Sequence, residues 1–466
     1  MYRQSVYSCL WKISHITPIP KINNPESLSD YRPISILCFL SKVFEKILAS
    51  QIRDYISDII PKNQSGFRQN YSCVTALEKV INDIVESTDK NKLTILILLD
   101  YSKAFDKLDH GLLLSILKYI GFNSKSTSLL SSYLKGRQQA VTYGSVTSSY
   151  KSSKNGVPQG SILGPLLFIL YTFQVSNYLK YCDSHFYGDD TQLYASFREE
   201  EVDIFNKYIN EDLAALSEIS DKMCLELNPL KTQMLLFGRP GAVARVRDQV
   251  SITLNNSPLT FTERAKDLGI IIDSDLQFGE HVTSILKKGY STLKLLYGSK
   301  DILNRKSRWL TCNSLVLSHI TYGLTVYGPF LTTSELGRLQ KLQNCCVRFV
   351  YGLRKYDHIS KHSIELEILP VKEKIEYYSC LLFYKILALR SPSYLFDLIT
   401  YRNDVHHLNL RHRNTLQIPV HTIALFQNSI SYRIAKLMNS LPVSLRNISL
   451  PTFKQKLKSS LLERSY

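Results

Sequence analysis

Two adjacent aspartates end the stretch Phe186-Tyr187-Gly188-Asp189-Asp190, and a third ends the apolar stretch Leu93-Thr94-Ile95-Leu96-Ile97-Leu98-Leu99-Asp100. An apolar run that stops at a carboxylate predicts a buried strand that delivers an acid to the edge of a sheet. Because adjacent like charges repel, a fold tolerates the aspartate pair cheaply only in water or around a cation. Three carboxylates on two such elements suit a pair of Mg²⁺ ions that hold a triphosphate and a 3′-hydroxyl in line.

Each feature also has a simpler explanation. Gly and Asp are ordinary turn residues, so Gly188–Asp190 could be a hairpin tip, and every buried strand must end at something polar, as at Asp100. A third element lies between them, Asn155-Gly156-Val157-Pro158-Gln159-Gly160-Ser161-Ile162-Leu163-Gly164-Pro165. It predicts a rigid turn that exposes the amide of Gln159 and leads into an apolar helix over 166–171. Three such elements in this order indicate a nucleic-acid polymerase.

Further strings support this interpretation along more than half of the chain. Before the aspartate pair stand Trp11-Lys12, Ile19-Pro20-Lys21, Asp30-Tyr31-Arg32-Pro33-Ile34-Ser35, Lys42-Val43-Phe44-Glu45-Lys46-Ile47, Gln64-Ser65-Gly66-Phe67-Arg68 and Tyr101-Ser102-Lys103-Ala104-Phe105-Asp106. After it stand Leu227-Asn228-Pro229-Leu230-Lys231-Thr232, Leu268-Gly269-Ile270, His319-Ile320-Thr321-Tyr322-Gly323 and Leu339-Gln340-Lys341-Leu342-Gln343-Asn344. With these strings the chain resembles the reverse transcriptases of non-LTR retrotransposons, the jockey- and CR1-like LINE elements.

The order of elements and the resemblance together predict an α+β fold. The resemblance implies a right-hand polymerase, with a central antiparallel sheet in the palm and a mostly helical thumb and carboxy-terminal region after it. The pattern also predicts that helices cover one face of the sheet. The expected divisions are fingers over about 1–92 and 110–154, palm over about 93–109 and 155–274, and a basic helical nucleic-acid-binding region over 275–466.

Local patterns predict several helices and strands within these divisions. Helices are expected over 42–56, 73–85, 112–119 and 200–223, a hairpin over 140–154, and strands ending at 187 and covering 191–196 and 232–237. Short strands are expected around 252–254 and 268–272.

Charge divides the chain into two unlike parts. Residues 1–280 carry 30 basic and 30 acidic side chains, whereas residues 281–466 carry 27 basic and 10 acidic ones, which accounts for the net charge of +17. One explanation of this basic half is that it is simply a solvated surface. In a polymerase it would grip the phosphates of a template–primer duplex, with a strong dependence on salt.

The resemblance implies roles for the acidic residues. Asp100 and Asp189 would bridge two Mg²⁺ ions, with Mn²⁺ as an alternative metal. Asp190 would be a weaker or intermittent ligand, and the main-chain carbonyl of Tyr101 a further one. The expected partners are template RNA, a DNA primer or target DNA, and dNTPs.

Four other residues are predicted to contact the nucleotide. In the family, the position of Phe105 carries an aromatic ring that excludes a 2′-hydroxyl, although a core phenylalanine is the common alternative. Gln159 would lie near the incoming nucleotide and the template base. Arg68 would contact the triphosphate, because guanidinium matches phosphate geometry, or else the template backbone. Lys231 would lie near the phosphates or else be a solvated lysine.

The sequence also departs from the family pattern. Tyr187-Gly188 replaces Phe-Ala before the aspartates, and the strings at 71–73 and 172–179 differ from those usual in the family. The endonuclease domain that normally precedes the fingers is not in this sequence, so we expect no nicking of its own target. A catalytically silent nucleic-acid-binding relic is one alternative. An RNA-dependent RNA polymerase is another, against which Phe105 argues.

The cysteines and the apolar stretches of the sequence indicate where in the cell the protein is expected. Nine cysteines form no Cys-x-x-Cys pair, and Cys345-Cys346 has no histidine partners at zinc-finger spacing, so free thiols in a reducing nucleus or cytoplasm are expected. No signal peptide and no apolar stretch of about 20 residues is present, which predicts a protein that is neither secreted nor membrane-spanning. The oligomeric state is left open.

Overall fold

A computed structural model describes residues 5–405, 415–446 and 448–466 of the chain. The strands are β1 Ile13–Pro20, β2 Tyr31–Ile36, β3 Leu93–Leu99, β4 Arg137–Tyr143, β5 Val146–Thr147, β6 Lys151–Ser153, β7 Asp183–Tyr187, β8 Asp190–Phe197, β9 Gln233–Phe237, β10 Thr253–Leu254, β11 Ser257–Pro258, β12 Arg264–Asp267 and β13 Ile270–Asp273. The α-helices up to residue 300 are α1 Phe39–Ile56, α2 Cys73–Asp89, α3 Ala104–Lys107, α4 His110–Tyr119, α5 Ser124–Leu134, α6 Leu163–Thr172, α7 Val202–Lys222, α8 Pro240–Val246 and α9 Gly279–Tyr297. Those that follow are α10 Arg305–Cys312, α11 Ser318–Thr321, α12 Leu324–Tyr327, α13 Thr333–Tyr351, α14 Ser360–Glu365, α15 Val371–Leu389, α16 Ser393–Phe396, α17 Arg402–Val405, α18 Ile430–Ser440 and α19 Leu450–Ser465.

The central sheet has the strand order β7-β8-β3-β9, and every neighbouring pair is antiparallel. Its central strand β3 pairs with β8 from Leu93↔Phe197 to Leu99↔Thr191. This arrangement confirms the predicted α+β fold with a central antiparallel sheet.

Helices cover both faces of this sheet, so the prediction of a single covered face was wrong. Ile95 and Ile97 of β3 share a core with α6 and α7, whereas Leu96 between them packs in a second core with α2 and the helices after residue 279. A strand buried on both sides needs apolar residues at consecutive positions. The unbroken apolar run of β3 is therefore the sequence signal of two covered faces.

A second sheet has the order β2-β1-β4-β5, with β6 also paired to β4. β1 and β4 are parallel although more than 100 residues separate them. The predicted hairpin is present where Tyr143 pairs with Val146 around Gly144. The positive φ of Gly144, 59°, suits a residue without a Cβ at this turn.

The predicted helices are confirmed with small shifts at their ends. α1 begins at Phe39 rather than residue 42, and α2 continues to Asp89 rather than ending at 85. Asp109 caps α4 by accepting a hydrogen bond from the Leu112 amide at 2.7 Å. α6 begins two residues before Pro165, which is possible because the first turn of a helix leaves its amides free of intrahelical bonds.

From α9 onward the described chain is mostly helical, as predicted. These helices return to the first half of the molecule and pack on α2. Arg433 of α18 forms a buried ion pair with Glu78 of α2 at 2.6 Å. Asp89 at the end of α2 accepts hydrogen bonds from the amides of Thr422 and Ile423, both at 2.8 Å. Within the described residues, no helix is both long enough and apolar enough to cross a membrane.

Candidate active site

The central sheet brings the three aspartates together. Asp100 follows the last residue of β3, and Asp190 is the first residue of the neighbouring strand β8, where it pairs with Tyr187 across the turn. All three aspartates line one open cavity of about 1220 Å³. Antiparallel pairing of β3 with β8 thus places at one sheet edge acids that lie far apart in the sequence.

The tight turn between β7 and β8 requires glycine at position 188. Gly188 has φ of 71°, and a Cβ there would lie 3.0 Å from the Phe67 ring. Its amide donates a hydrogen bond of 3.2 Å to Oε1 of Gln64. The turn that carries both aspartates is therefore held by a side chain from outside the sheet.

Burial and neighbouring carboxylates raise the pKa values of both aspartates of the pair. Burial, together with the neighbouring carboxylate of Asp100, raises the pKa of Asp189. Partial burial and the charges of Asp189 and Asp100 raise the pKa of Asp190 to about 6. The positive charge of Arg32, which also lines the cavity, opposes both shifts. The pKa values of the pair are therefore raised by burial first and by the crowding of the carboxylates second.

This donor set fits a divalent cation, although it is not gathered into a closed ligand cage. Within residues 5–405, 415–446 and 448–466, no three acidic, histidine or cysteine side chains lie close enough together to hold a metal by themselves. The three carboxylates nevertheless face one cavity, and carboxylate oxygens are what Mg²⁺ and Mn²⁺ prefer. The fit rests on the chemistry of these oxygens and on their crowding at one cavity.

Tyr101 contributes its backbone to the same edge. It forms an antiparallel bridge with Leu227, in which the amide of Asn228 donates to the Asp100 carbonyl at 2.9 Å and the amide of Ser102 donates to the Glu226 carbonyl at 2.8 Å. In this pattern the carbonyl of Tyr101 points away from Leu227, toward the β8 side of the sheet. The phenol is buried and hydrogen-bonds Ser220 at 3.1 Å, so the side chain anchors this backbone.

Phe105 lies on the wall of the cavity, half-buried. Its ring stacks on Phe168 of α6 with centroids 4.4 Å apart and meets the edge of Phe67 at 6.4 Å. The ring therefore has a packed back and an open side on the cavity. Phe105 is thus both a core residue and part of the cavity wall, which the sequence presented as alternatives.

Gln159 is fixed beside Phe105 by the turn that carries it. Its side-chain amide donates to Oδ1 of Asp106 at 3.1 Å, and its main-chain carbonyl accepts a hydrogen bond from the main-chain amide of Ser35 at 2.7 Å. Gly156 in the same turn has φ of 77° and approaches so closely that a Cβ would lie 2.7 Å from the Asp106 carbonyl oxygen. The turn and the Phe105 segment thus form one rigid wall.

The basic residues divide between the cavity and the surrounding surface. Lys231 lines the cavity, with Nζ 3.7 Å from Oδ2 of Asp100. Arg68 does not belong to the lining: its guanidinium donates to the carbonyls of Pro61 and Gln64 at 2.9 and 3.0 Å and stacks on Tyr71. Its contact with a triphosphate stays a prediction.

Three residues important to the site were not singled out from the sequence. Arg32 and Lys21 line the cavity, and both stand in the family-like strings, which was the available signal. Buried Glu45 accepts hydrogen bonds from the amides of Ile162 and Leu163 at 2.7 and 3.1 Å, at the start of α6. It thereby anchors the helix that supports Phe105.

Residues 19–272 match the family model described as reverse transcriptase (RNA-dependent DNA polymerase). The chain belongs to this family. The match contains the central sheet and all three aspartates. Reverse transcriptases depend on divalent metal ions, which agrees with the donor chemistry of the cavity.

Curated relatives confirm the resemblance to non-LTR reverse transcriptases. The chain is 29% identical over 386 residues to a probable RNA-directed DNA polymerase from transposon BS of Drosophila melanogaster, covering 77% of this chain and 41% of the relative. It is 27% identical to the RNA-directed DNA polymerase from mobile element jockey of Drosophila funebris, covering 75% of this chain and 39% of the relative. This reverse transcriptase chain thus spans about two fifths of the length of these relatives.

Among solved structures, the chain is similar to apo telomerase from Candida tropicalis. The TM-score is 0.41 at 13% identity, with 83% of this chain and 69% of the telomerase chain covered. A likeness at this level supports no inference about function.

Proposed function

We propose that this chain is an RNA-directed DNA polymerase of a non-LTR retrotransposon, which adds dNTPs to the 3′-hydroxyl of a primer on an RNA template. The observation that carries the proposal is the convergence of Asp100, Asp189 and Asp190 on a cavity whose wall is Phe105 and Gln159. The reaction is an in-line displacement on phosphorus with loss of pyrophosphate. Such a reaction asks a protein mainly for positioning and charge stabilisation.

Two Mg²⁺ ions would be held by Asp100 and Asp189, with Asp190 and the carbonyl of Tyr101 as further ligands and Mn²⁺ as an alternative metal. When bound, such ions polarise the phosphate and stabilise the attacking and leaving oxygens. The raised pKa of Asp190, about 6, supports this assignment, because burial and then the charges of Asp189 and Asp100 disfavour its ionised form, and a bound cation would stabilise that form.

The cations around the acids would receive the triphosphate. Lys231, Arg32 and Lys21 line the same cavity as the three aspartates. A cavity lined by both acids and bases suits a metal-bound polyphosphate, since the phosphate oxygens then face a metal or a protein cation. Arg68 is the outermost candidate and would contact the phosphates or the template backbone only if its guanidinium leaves the carbonyls of Pro61 and Gln64.

Phe105 would select dNTPs. Because its ring stacks on Phe168, it has no room to retreat from a 2′-hydroxyl, and it offers that hydroxyl no hydrogen-bond partner. Gln159, held by Asp106, would lie against the nascent base pair.

The division into fingers, palm and thumb agrees with the two sheets. Residues 93–109 and 155–274, the proposed palm, supply every strand of the central sheet. Residues 1–92 and 110–154, the proposed fingers, supply every strand of the second sheet. Residues 275–466 would form the basic thumb and carboxy-terminal region that holds the template–primer duplex. The nine free thiols support action in the nucleus or cytoplasm.

The decisive experiment is primer extension on an RNA template with labelled dNTPs and Mg²⁺. We compare the wild type with Asp189→Asn and with Asp301→Asn, a matched change at an exposed residue of the second half. Asp189→Asn should reduce extension by at least about a thousandfold, because a metal-holding charge is lost, and Asp301→Asn should leave it intact.

Three outcomes would contradict the proposal. Extension that survives Asp189→Asn would refute the assignment of the site. Preference for rNTPs would indicate an RNA polymerase. RNA binding by the wild type without any extension would favour a silent nucleic-acid-binding relic.

A further inference from the structure

The outer edge of the catalytic sheet is covered by a short segment that precedes α2. Residues 63–65 run beside β7, with Gln64 in a parallel bridge to Phe186. The Phe186 amide donates to the Asn63 carbonyl, and the Ser65 amide donates to the Phe186 carbonyl, both at 2.8 Å. The segment therefore acts as an extra strand on the edge that leads into the aspartate turn.

The same segment holds the turn directly. Oε1 of Gln64 accepts hydrogen bonds from the amides of Gly66 at 2.9 Å and Gly188 at 3.2 Å. Gly66 lies so close to the turn that a Cβ on it would meet the Gly188 nitrogen at 2.3 Å. Gly188 is the residue before Asp189, so a shift of this segment would move the carboxylate.

A buried series of hydrogen-bonded side chains connects this segment to the far end of the protein. Oγ of Ser65 lies 2.7 Å from Nε2 of His185 in β7 and 2.8 Å from the hydroxyl of Tyr394 in α16. The Tyr394 hydroxyl also donates to Oγ1 of Thr75 at 3.1 Å. His185, Ser65, Tyr394 and Thr75 are all buried.

The available protons give this series of hydrogen bonds a direction. Thr75 donates its single hydroxyl proton to the Ser72 carbonyl at 2.9 Å, so Tyr394 must donate to Thr75. The oxygen of Tyr394 then accepts from Ser65, and the oxygen of Ser65 accepts from Nε2–H of His185. Burial lowers the pKa of His185 to about 3, which keeps the ring neutral, with its single proton on Nε2.

We propose that Tyr394, acting through Ser65 and His185, is a positioning residue for the aspartate turn, so that the carboxy-terminal helices set the geometry of the catalytic centre. The inference rests on the proposed function and adds a residue more than 200 positions after the aspartates. Without the Tyr394 hydroxyl, Ser65 loses its link to the carboxy-terminal helices and keeps only His185 as a side-chain partner, so segment 63–66 is held less firmly in place.

The carboxy-terminal region is anchored firmly enough for this role. Arg433 pairs with buried Glu78 and also donates to Oγ of Ser379 at 3.3 Å. The Ser431 amide donates to Asn82 at 3.2 Å. These contacts hold α18 against α2, the helix that carries Thr75, and join α18 to α15.

The test compares Tyr394→Phe with Tyr384→Phe. Both changes remove one hydroxyl from the carboxy-terminal region, but the hydroxyl of Tyr384 donates to the Ile448 carbonyl and does not face the palm. Tyr394→Phe should lower kcat for primer extension about three- to tenfold with KM for dNTP and affinity for template–primer unchanged. Tyr384→Phe should change neither.

Hydrogen exchange supplies a readout that does not depend on activity. The amides of Phe186 and Gly188 should exchange several-fold faster in Tyr394→Phe than in wild type or Tyr384→Phe. The ¹⁵N shifts of His185 should show Nε2–H in the wild type and a mixture of tautomers in Tyr394→Phe, since Ser65 is then free to donate to the ring.

The outcomes separate this inference from the proposed function. Equal exchange and equal kcat for the two tyrosine variants would overturn the positioning role. Faster exchange at Phe186 and Gly188 in a protein that never extends a primer would keep the positioning role and overturn the polymerase. Gln64→Met, which removes the acceptor of the Gly188 amide, should reproduce the loss of kcat; an unchanged kcat would likewise count against the inference.

Discussion

The two halves of the molecule handle charge in opposite ways. Residues 1–280 carry no net charge, yet they hold three aspartates and several cations at one cavity, whereas residues 281–466 carry 27 basic against 10 acidic side chains. In the first half, acids and bases line the same cavity, which suits the proposed chemistry on a phosphate group. In the second half, an excess of one sign acts over a longer range, which suits attraction of a whole nucleic-acid strand.

The halves differ in charge but are not separate bodies. Helices from both contribute to the core on one face of the central sheet, and Tyr394 reaches the segment that holds the aspartate turn. The proposed attraction of the strand and the proposed chemistry on the nucleotide would thus be divided by charge and joined by packing. Four predictions test this division.

The largest effect is expected where the halves join. Arg433→Met leaves Glu78 buried without its partner, and breaking a buried ion pair from one side costs about 3–5 kcal/mol. The free energy of unfolding, measured with urea, should fall by that amount. The double change Arg433→Met with Glu78→Leu should recover much of the loss, and a double variant as unstable as the single one would show that the pair is not the cause.

The second prediction removes charge from the helical half. Changing four exposed lysines of α9 and α10 to glutamine should weaken RNA binding about tenfold or more. The salt slope should fall by about 0.7 for each phosphate that these lysines neutralise in the wild type. The lysines are Lys287, Lys288, Lys294 and Lys306.

Its control makes the same change at exposed lysines of the first half, Lys118, Lys125, Lys207 and Lys222. Affinity and salt slope, measured by fluorescence anisotropy at several salt concentrations, should change much less in the control. Equal losses in the two variants would mean that the charge asymmetry has no role in binding.

The third prediction concerns the cavity wall. Phe105→Val should raise the incorporation of rNTPs relative to dNTPs about tenfold, because the ring no longer occupies the space of a 2′-hydroxyl. The ratio of kcat/KM values in single-nucleotide extension measures the change. Phe122→Val, at another half-buried phenylalanine, should leave the ratio as it is. A loss of stability with no change in the ratio would assign Phe105 to the core alone.

The fourth prediction is a dependence of stability on pH at Asp267, which is buried beside β8. Burial, above all, raises the pKa of Asp267 to about 7, and its carboxyl accepts a hydrogen bond from Gln192 of β8. A carboxyl whose pKa is raised on folding binds more protons in the folded state, so stability falls as pH rises from about 4 to 7 and stays low above that.

Asp267→Asn removes this dependence. The variant should be more stable than the wild type at pH 8, on the order of 2 kcal/mol, with the difference shrinking toward pH 5. Thermal unfolding at the two pH values measures it, beside Asp275→Asn at an exposed position. A constant difference across this range would show that Asp267 does not titrate as its burial implies.

Much of this molecule follows from local sequence. The apolar run of β3, the capping residue Asp109 and the turn at Gly144 act on their own neighbours, so the helices and strands that were predicted lie within a few residues of their expected positions. The three aspartates were also predicted together, and they meet because the end of β3 lies beside the beginning of the antiparallel strand β8. The continuous apolar run of β3 already implied two covered faces, which the prediction of one face overlooked.

The tertiary structure alone shows how the aspartate turn is held. Ser65 and Tyr394 are separated by 329 residues, and Glu78 and Arg433 by 355. A buried polar side chain needs a partner, but its own sequence does not say from which distant segment the partner comes. Periodicity and turn residues determined the helices, the strands and the grouping of the three aspartates. The packing of the helical half against α2 determined which residues hold the aspartate turn.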